Sequence, residues 1–311
     1  MQFMRGNACR CTLRSLSSRV RMLSTQNVHQ TAVKGFTAES AAIYDSGRPT
    51  YNDESLDRVL ELLFSAKVDY ATPKVLELGA GTGKFSESFL KYAKNSKVLK
   101  QYPVLNHLEY IATEPSKGFR ESLKQSLPKI DQAVKIDTAL GDKIPFRDQT
   151  LDGVIAAQAF HWMANLNTLK EIHRVLVLEC PFIMLWNSYD YSYEWLRQID
   201  KEILTPAYGN DVPRQQNGKW EDCFNTDAGR SLFSLVSKWQ GKNVQVGDAE
   251  MVVNRFMSTS VIVEKNDAER AEIEAKLRHI IATHPELTCA RRTGRYEIHY
   301  ITELAWVHKH A

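Results

Sequence analysis

The stretch Val75-Leu76-Glu77-Leu78-Gly79-Ala80-Gly81-Thr82-Gly83-Lys84-Phe85, VLELGAGTGKF, decides how the rest of the chain is read. Its apolar start reads as a buried strand, and Phe85 to Ala93 has the spacing of a helix. Between them, glycines at 79, 81 and 83 permit a tight turn and let a ligand lie against backbone N–H groups at a helix N-terminus. A nucleoside-triphosphate loop, Gly-x-x-x-x-Gly-Lys-Ser/Thr, does not match: Leu78 stands at its first glycine and Phe85 at its hydroxyl residue. The dinucleotide pattern Gly-x-Gly-x-x-Gly fails at Lys84, and Glu77 would repel a pyrophosphate. A ligand with a cationic amino group and no phosphate suits Glu77 instead.

Outward from this loop the same alternation repeats. Tyr110 to Thr113 reads as a strand, Lys117 to Leu127 as a helix and Ala133 to Ile136 as a strand. Leu151 to Ala157, Leu166 to Val177 and Phe182 to Trp186 follow as strand, helix and strand. Strands alternating with helices predict an α/β fold: a doubly wound, Rossmann-like, mostly parallel sheet with helices on both faces. Upstream, Phe36 to Ala66 reads as two helices split at Gly47-Arg48-Pro49, the second capped by Asn52 or Asp53. Beyond Tyr189 the rhythm is lost. An aromatic-rich segment, a Gly/Asn/Pro-rich stretch from Pro206 to Gly218 and a charged helix over Asp267 to Thr283 predict a mostly helical C-terminal cap. Tyr296 to Trp306 returns as a last strand. The expected organisation is a basic N-terminus at 1–30, a ligand-binding core with its lid at 36–190, and at 191–311 a cap whose strand completes the sheet.

The string Glu77-Leu78-Gly79-Ala80-Gly81-Thr82-Gly83 resembles the first motif of class I S-adenosylmethionine-dependent methyltransferases, whose ligand carries an ammonium and a sulfonium but no phosphate. The resemblance continues in order along the chain. It implies that Glu114, in Ile111-Ala112-Thr113-Glu114-Pro115-Ser116, accepts both ribose hydroxyls, and that the loop at Gly141-Asp142 meets the adenine. Gln158-Ala159-Phe160-His161-Trp162 is similar to the segment after the fourth strand in the subgroup that includes trans-aconitate methyltransferase. Tyr44 to Tyr51 is similar to that subgroup's N-terminal lid. The chain departs from the pattern in having Leu140 where an acid usually precedes the adenine loop, and in the long spacing from Gly83 to Glu114. That spacing predicts a longer first helix or an extended loop over Lys94 to Asn106.

The resemblance implies S-adenosyl-L-methionine as cofactor, with Glu77, Gly79, Ala80, Gly81, Gly83, Glu114, Pro115, Gly141, Asp142 and Gln158 around it. The acceptor it implies is a small or lipid-like molecule, methylated on a carboxylate oxygen. His161 lies just past a strand's carboxyl end, where such sheets open their active sites, and is a candidate general base. Its alternative is to pack, with Trp162, against the adenine or the next helix. Arg48, Tyr51, Trp162, Trp186 and Tyr189 are candidates for the acceptor pocket, with Tyr191 beside them and Arg255 a second candidate for a carboxylate. Asp152 is expected to hold local backbone. Two rival functions stay open: a nicotinamide-dependent oxidoreductase, and a non-catalytic assembly factor built on a methyltransferase fold.

Composition bounds the rest. The formal net charge is +3 over 311 residues, and much of the excess lies near the N-terminus, so nothing calls for nucleic acid. No apolar run approaches the ~20 residues that span a bilayer. The five cysteines lack metal-ligand spacing, and no metal is expected. From Met1 to Ala38 there is no Asp or Glu, while Arg5, Arg10, Arg14, Arg19 and Arg21 alternate with Ser and Leu. That pattern predicts a mitochondrial transit peptide and a matrix location, with Arg21-Met22-Leu23-Ser24 resembling a processing site; a basic tail on a cytoplasmic protein is the alternative.

Overall fold

The computed structural model describes residues 47–64, 72–127, 134–209 and 212–310. The expected transit peptide, the helix before Gly47 and the Tyr44 end of the lid lie outside the described residues.

The central element is a sheet of strands β1 (Lys74–Leu78), β2 (Glu109–Thr113), β3 (Val134–Asp137), β4 (Gly153–Ala157), β5 (Pro181–Tyr189), β6 (Ser237–Gly247) and β7 (Tyr296–His308). Their spatial order is β3-β2-β1-β4-β5-β7-β6. β1 to β5 pair in parallel, whereas β7 runs antiparallel to β5 and β6 antiparallel to β7. The order reverses between β1 and β4, which makes the carboxyl ends of those strands the switch point where ligands bind.

Side chains alternate across the sheet with a period of two. Val75, Ile155, Ile183 and Leu185 face one core with helices α1 (Asp53–Phe64) and α2 (Lys84–Ala93). Leu76, Leu78, Val154, Ala156, Phe182 and Met184 face the other, against α5 (Leu166–Val175). Near-continuous apolar runs are the expected mark of parallel strands covered on both sides. The cap of α1 is Asn52, whose side chain accepts the Ser55 N–H at 3.0 Å. Between α2 and β2, the extra chain forms α3 (Ser96–Gln101) and a short 3₁₀ turn, Pro103–His107, rather than a longer α2. Asn95 caps α3, ending the option of one continuous helix. After β2 comes α4 (Lys117–Ser126), capped by Ser116. Asp152 holds backbone as expected, accepting the Lys74 N–H at 2.8 Å just before β1.

Two features beyond residue 190 differ from the sequence reading. β6 is an 11-residue edge strand that the alternation does not announce, because most of its outward positions (Ser237, Lys238, Gln240, Lys242) are polar and exposed. The helix after Tyr193 is also broken in type: α6 (Glu194–Ile199) passes into a π turn, Asp200–Leu204, and then α7 (Thr205–Tyr208). The cap has its own apolar centre, where α6 meets α9 (Ala249–Met257) and α11 (Asp267–Thr283) around Trp195, Phe256 and Leu277. Between α7 and α9 lies α8 (Asp227–Leu232), and α10 (Ser260–Val263) precedes α11. β7 joins the two bodies: Tyr296, Ile298 and Tyr300 belong to the cap's core, and Leu304, Ala305 and Val307 to the sheet's.

Candidate active site

Two cavities open at the carboxyl end of the sheet. The first, of about 430 Å³, lies over the switch point. The turn after β1 forms its floor. Gly79 sits at φ +73°, and a Cβ built there would come within 2.8 Å of the Ala159 Cβ, so no other residue fits without displacing the chain after β4. Ala80 and Gly81 follow along the floor. Gly83 stands apart from the other two glycines. It lies outside the cavity's lining, caps α2 at φ 95°, and leaves room for Leu123 of α4, whose Cδ1 would be 2.8 Å from a Cβ there.

Two buried carboxylates flank this floor. Glu77 is 1% exposed, and its Oε2 accepts hydrogen bonds from the Ser86 hydroxyl and, at 2.7 Å, from the Tyr110 hydroxyl. Its Oε1 is buried and accepts none from the described residues. Burial pushes the group up to about 7 despite those two donors. Glu114 closes β2: its Oε2 accepts the Gly81 N–H at 2.9 Å and its Oε1 the Ser116 N–H at 2.7 Å. It too is pushed up to about 7 by burial, against the pull of both N–H groups. Glu114 therefore ties the second strand to the glycine turn and still has lone pairs to offer, since a carboxylate accepts at about four sites. Pro115, Gly141, Asp142, Gln158 and Tyr51 also line this cavity.

The orphaned Oε1 of Glu77 tests what the chamber can hold. A buried carboxylate oxygen without a donor is destabilising until a cation or hydrogen-bond donor meets it. An ammonium beside Glu77 supplies both, while a phosphate would face two carboxylates. The residues present fit S-adenosylmethionine.

The second cavity is smaller, about 90 Å³, and lies toward the cap. Arg48, His161, Trp186 and Tyr189 line it, joined by Arg255 and by Arg214, which sequence reading did not single out. Gln158 and Trp162 line both cavities and form the wall between them. Gln158 stands at the end of β4 with φ 56°, a left-handed conformation for a residue with a side chain. Its N–H is held by the Leu185 carbonyl at 2.8 Å, and its side-chain amide reaches toward the Asn187 carbonyl at 3.5 Å.

His161 changes character in this setting. The indole Nε1–H of Trp186 is only a donor, and it lies 3.1 Å from His161 Nδ1, so Nδ1 accepts and the ring proton sits on Nε2. Burial in the chamber wall, and then the charge of Arg48, push the imidazole down to about 3. The side chain is thus a neutral hydrogen-bond donor at Nε2. A general base would need a free acceptor nitrogen and a pKa near working pH, so this setting favours the packing and hydrogen-bonding alternative for His161.

Among the described residues no group of His, Cys, Asp and Glu is placed to hold a metal ion, and no helix is long and apolar enough to cross a membrane.

The chain matches the family described as methyltransferase domain over residues 76–179. An uncharacterized methyltransferase of Oceanobacillus iheyensis is 30% identical over 169 residues, 51% of this chain and 69% of that protein. An uncharacterized methyltransferase-like protein of Schizosaccharomyces pombe is 27% identical over 246 residues, 79% of this chain and 86% of that protein. Among solved structures, the YcgJ protein of Bacillus subtilis aligns with 84% of this chain and 100% of its own, at 14% identity and a TM-score of 0.48. The chain belongs to the class I S-adenosylmethionine-dependent methyltransferases.

Proposed function

We propose that this protein binds S-adenosylmethionine in the first chamber and transfers its methyl group to a small-molecule acceptor held in the second. The observation that carries this reading is the shared wall: Gln158 and Trp162 belong to both cavities, so ligands in the two chambers meet there. Bound in the first chamber, S-adenosylmethionine supplies an electrophilic methyl carbon, whose bond to sulfur breaks as its bond to the acceptor forms.

The residues of the chain do the rest by placement. Glu77 receives the ammonium and Glu114 the ribose hydroxyls, while the loop at Gly141 and Asp142 borders the adenine, as the family resemblance implies. His161 donates from Nε2 and holds the acceptor's orientation. No base is needed for an acceptor that arrives ionised, such as a carboxylate oxygen, and alignment alone can account for a rise of several orders of magnitude in rate. The polar lining of the second chamber, with Arg48, Asn187, Gln215 and Arg255, favours a small polar acceptor over a lipid-like one.

Titration calorimetry tests the cofactor. S-adenosylmethionine and S-adenosylhomocysteine are expected to bind, and NADH is not; tight NADH binding without the other two would restore the oxidoreductase. Bound cofactor with no S-adenosylhomocysteine formed across a broad panel of small acids would favour the non-catalytic assembly factor. The acid-free, Arg-rich start supports delivery to the mitochondrial matrix. Residues 1–30 fused to a fluorescent protein are expected to carry it into mitochondria, and a diffuse cytoplasmic signal would refute that.

A further inference from the structure

We propose that Arg255 and Tyr189 form an anchoring subsite in the second chamber for a carboxylate of the acceptor other than the group that receives the methyl. The inference rests on the methyltransferase reading for the identity of the neighbouring chamber, and on its own geometry for the rest.

Arg255 is 5% exposed, so its side chain is almost wholly enclosed by the protein. Its Nε donates to the Tyr300 hydroxyl at 3.1 Å, and its guanidinium carbon lies 4.8 Å from the ring centroid of Tyr189 and 5.8 Å from that of Tyr300. No carboxylate of the described residues pairs with it, and its two terminal nitrogens bond to none of their atoms. Arg214 in the same chamber makes the contrast. It is bound to Asp200 at 3.1 Å and lies over the Tyr208 ring at 4.3 Å, so its charge is already answered within the chain. An enclosed guanidinium with an open fork and no counter-ion among the described residues is an unfavourable arrangement that an incoming carboxylate relieves.

Tyr189 supplies a second, independent mark. It is 8% exposed, lines the same chamber, and its hydroxyl has no hydrogen-bond partner among the described residues. A buried hydroxyl left unsatisfied beside an unanswered cation is what a ligand oxygen would complete. Among the described residues no acidic side chain lines the chamber, so none of them competes for these donors.

The chemistry selects a carboxylate. One planar fork and one neutral hydroxyl match the two oxygens of a monoanion, whereas a phosphate dianion would leave charge unanswered in a cavity of about 90 Å³. A carboxylate held this way has its lone pairs engaged and its charge neutralised, which makes it a poor nucleophile. Arg255 and Tyr189 are also absent from the first chamber, so the clamped group stands back from the wall at Gln158 and Trp162 where methyl transfer occurs. The acceptor therefore spans the second chamber, its acid end at Arg255 and its reacting atom at the shared wall.

The test is calorimetry with succinate, succinamide and inorganic phosphate, on the full chain with and without S-adenosylhomocysteine. Succinate is expected to bind about tenfold or more tightly than the diamide, the difference that hydrogen bonds to a charged group make. Arg255→Gln should erase that preference and Arg255→Lys keep part of it. Because Arg255 is buried and its loss can unsettle the cap, Tyr189→Phe is the decisive variant. It removes a hydroxyl with no partner among the described residues, so the thermal midpoint should hold or rise, while succinate affinity falls about three- to tenfold. Equal affinity for acid and amide, phosphate binding more tightly than succinate, or an unchanged affinity in Tyr189→Phe would each overturn the subsite. A failure of S-adenosylhomocysteine to bind the wild type would sink the methyltransferase reading instead, and the acid preference of the unloaded protein would still decide the subsite.

Discussion

The two chambers share a wall and follow opposite building rules. The first is made by backbone and by two carboxylates, from chain ends that the parallel sheet brings together within residues 77 to 168 and Tyr51. The second is made by side chains from segments far apart in sequence: Arg48, the turn after β4, the end of β5, the stretch around Arg214, and α9. A site that rests on backbone geometry repeats its constraint at each position, so it leaves a motif. A site that rests on side chains across long sequence distances leaves only residue types. The difference also predicts how each responds to substitution.

The largest effect is expected at the floor of the first chamber. Gly79→Val places a β-branched residue at φ +73° with its Cβ against Ala159, at a strain of about 3 kcal/mol. S-adenosylmethionine binding should become undetectable by calorimetry, with a lower thermal midpoint; wild-type affinity would break the rule that backbone builds this chamber. Next comes Glu114→Ala, which removes the acceptor of the Gly81 and Ser116 N–H groups as well as the expected ribose contact. Affinity should fall by about 1–3 kcal/mol together with stability. A drop in stability alone would leave Glu114 a brace and not a ligand contact.

A pH series separates the cofactor's ammonium from the fold itself. Glu77 and Glu114 are raised to about 7 in the folded protein, so between the ordinary carboxylate range and pH 7 the unfolded chain has released protons that the folded chain still holds. Their contribution to the ligand-free protein is therefore fully present below pH 4.5 and is lost as pH rises through about 7. Cofactor binding is expected to run the other way, because the proposed ammonium contact needs Glu77 ionised. The thermal shift produced by S-adenosylmethionine should grow from pH 5 to pH 7, by up to about tenfold in affinity per unit. A shift independent of pH would detach Glu77 from the ligand. The smallest effect is expected in the second chamber at His161. His161→Gln keeps a donor and an acceptor for Trp186, so turnover should fall by less than about tenfold. The pH–rate profile should keep its shape between about pH 5 and 8. A limb near the ordinary imidazole pKa that vanishes in the variant would return His161 to the role of base.

Period and punctuation made most of the sheet legible. β1, β2, β4 and β5 are apolar runs bounded by turns, and α1, α2, α4 and α5 carry helical spacing, so each shows itself locally. β6 does not, because an exposed edge covered with Ser, Lys and Gln looks like a loop until β7 pairs with it. The glycine series was legible as a cradle, but the separate task of Gly83 depends on Leu123, 40 residues away in α4. The tautomer of His161 depends on Trp186, and the open fork of Arg255 on the lack of an acid among the described residues that line its chamber; neither condition is written in the residues beside them. Gln158 alone gave a local sign that sequence reading could use only through resemblance, since its left-handed backbone appears once the strand's end is seen.

Tyr189 and Tyr300 are direct partners in the β5–β7 ladder, and their rings stack with centroids 5.4 Å apart. The spacing of the two rings that flank Arg255 is thus a property of the sheet, set by hydrogen bonds that extend down β7 to the far edge of the protein. This wall of the second chamber is held by the sheet and not by a loop. An attempt to widen the range of acceptors by remodelling surface segments would leave that gauge untouched, whereas exchanging a single ring on either strand would reset it.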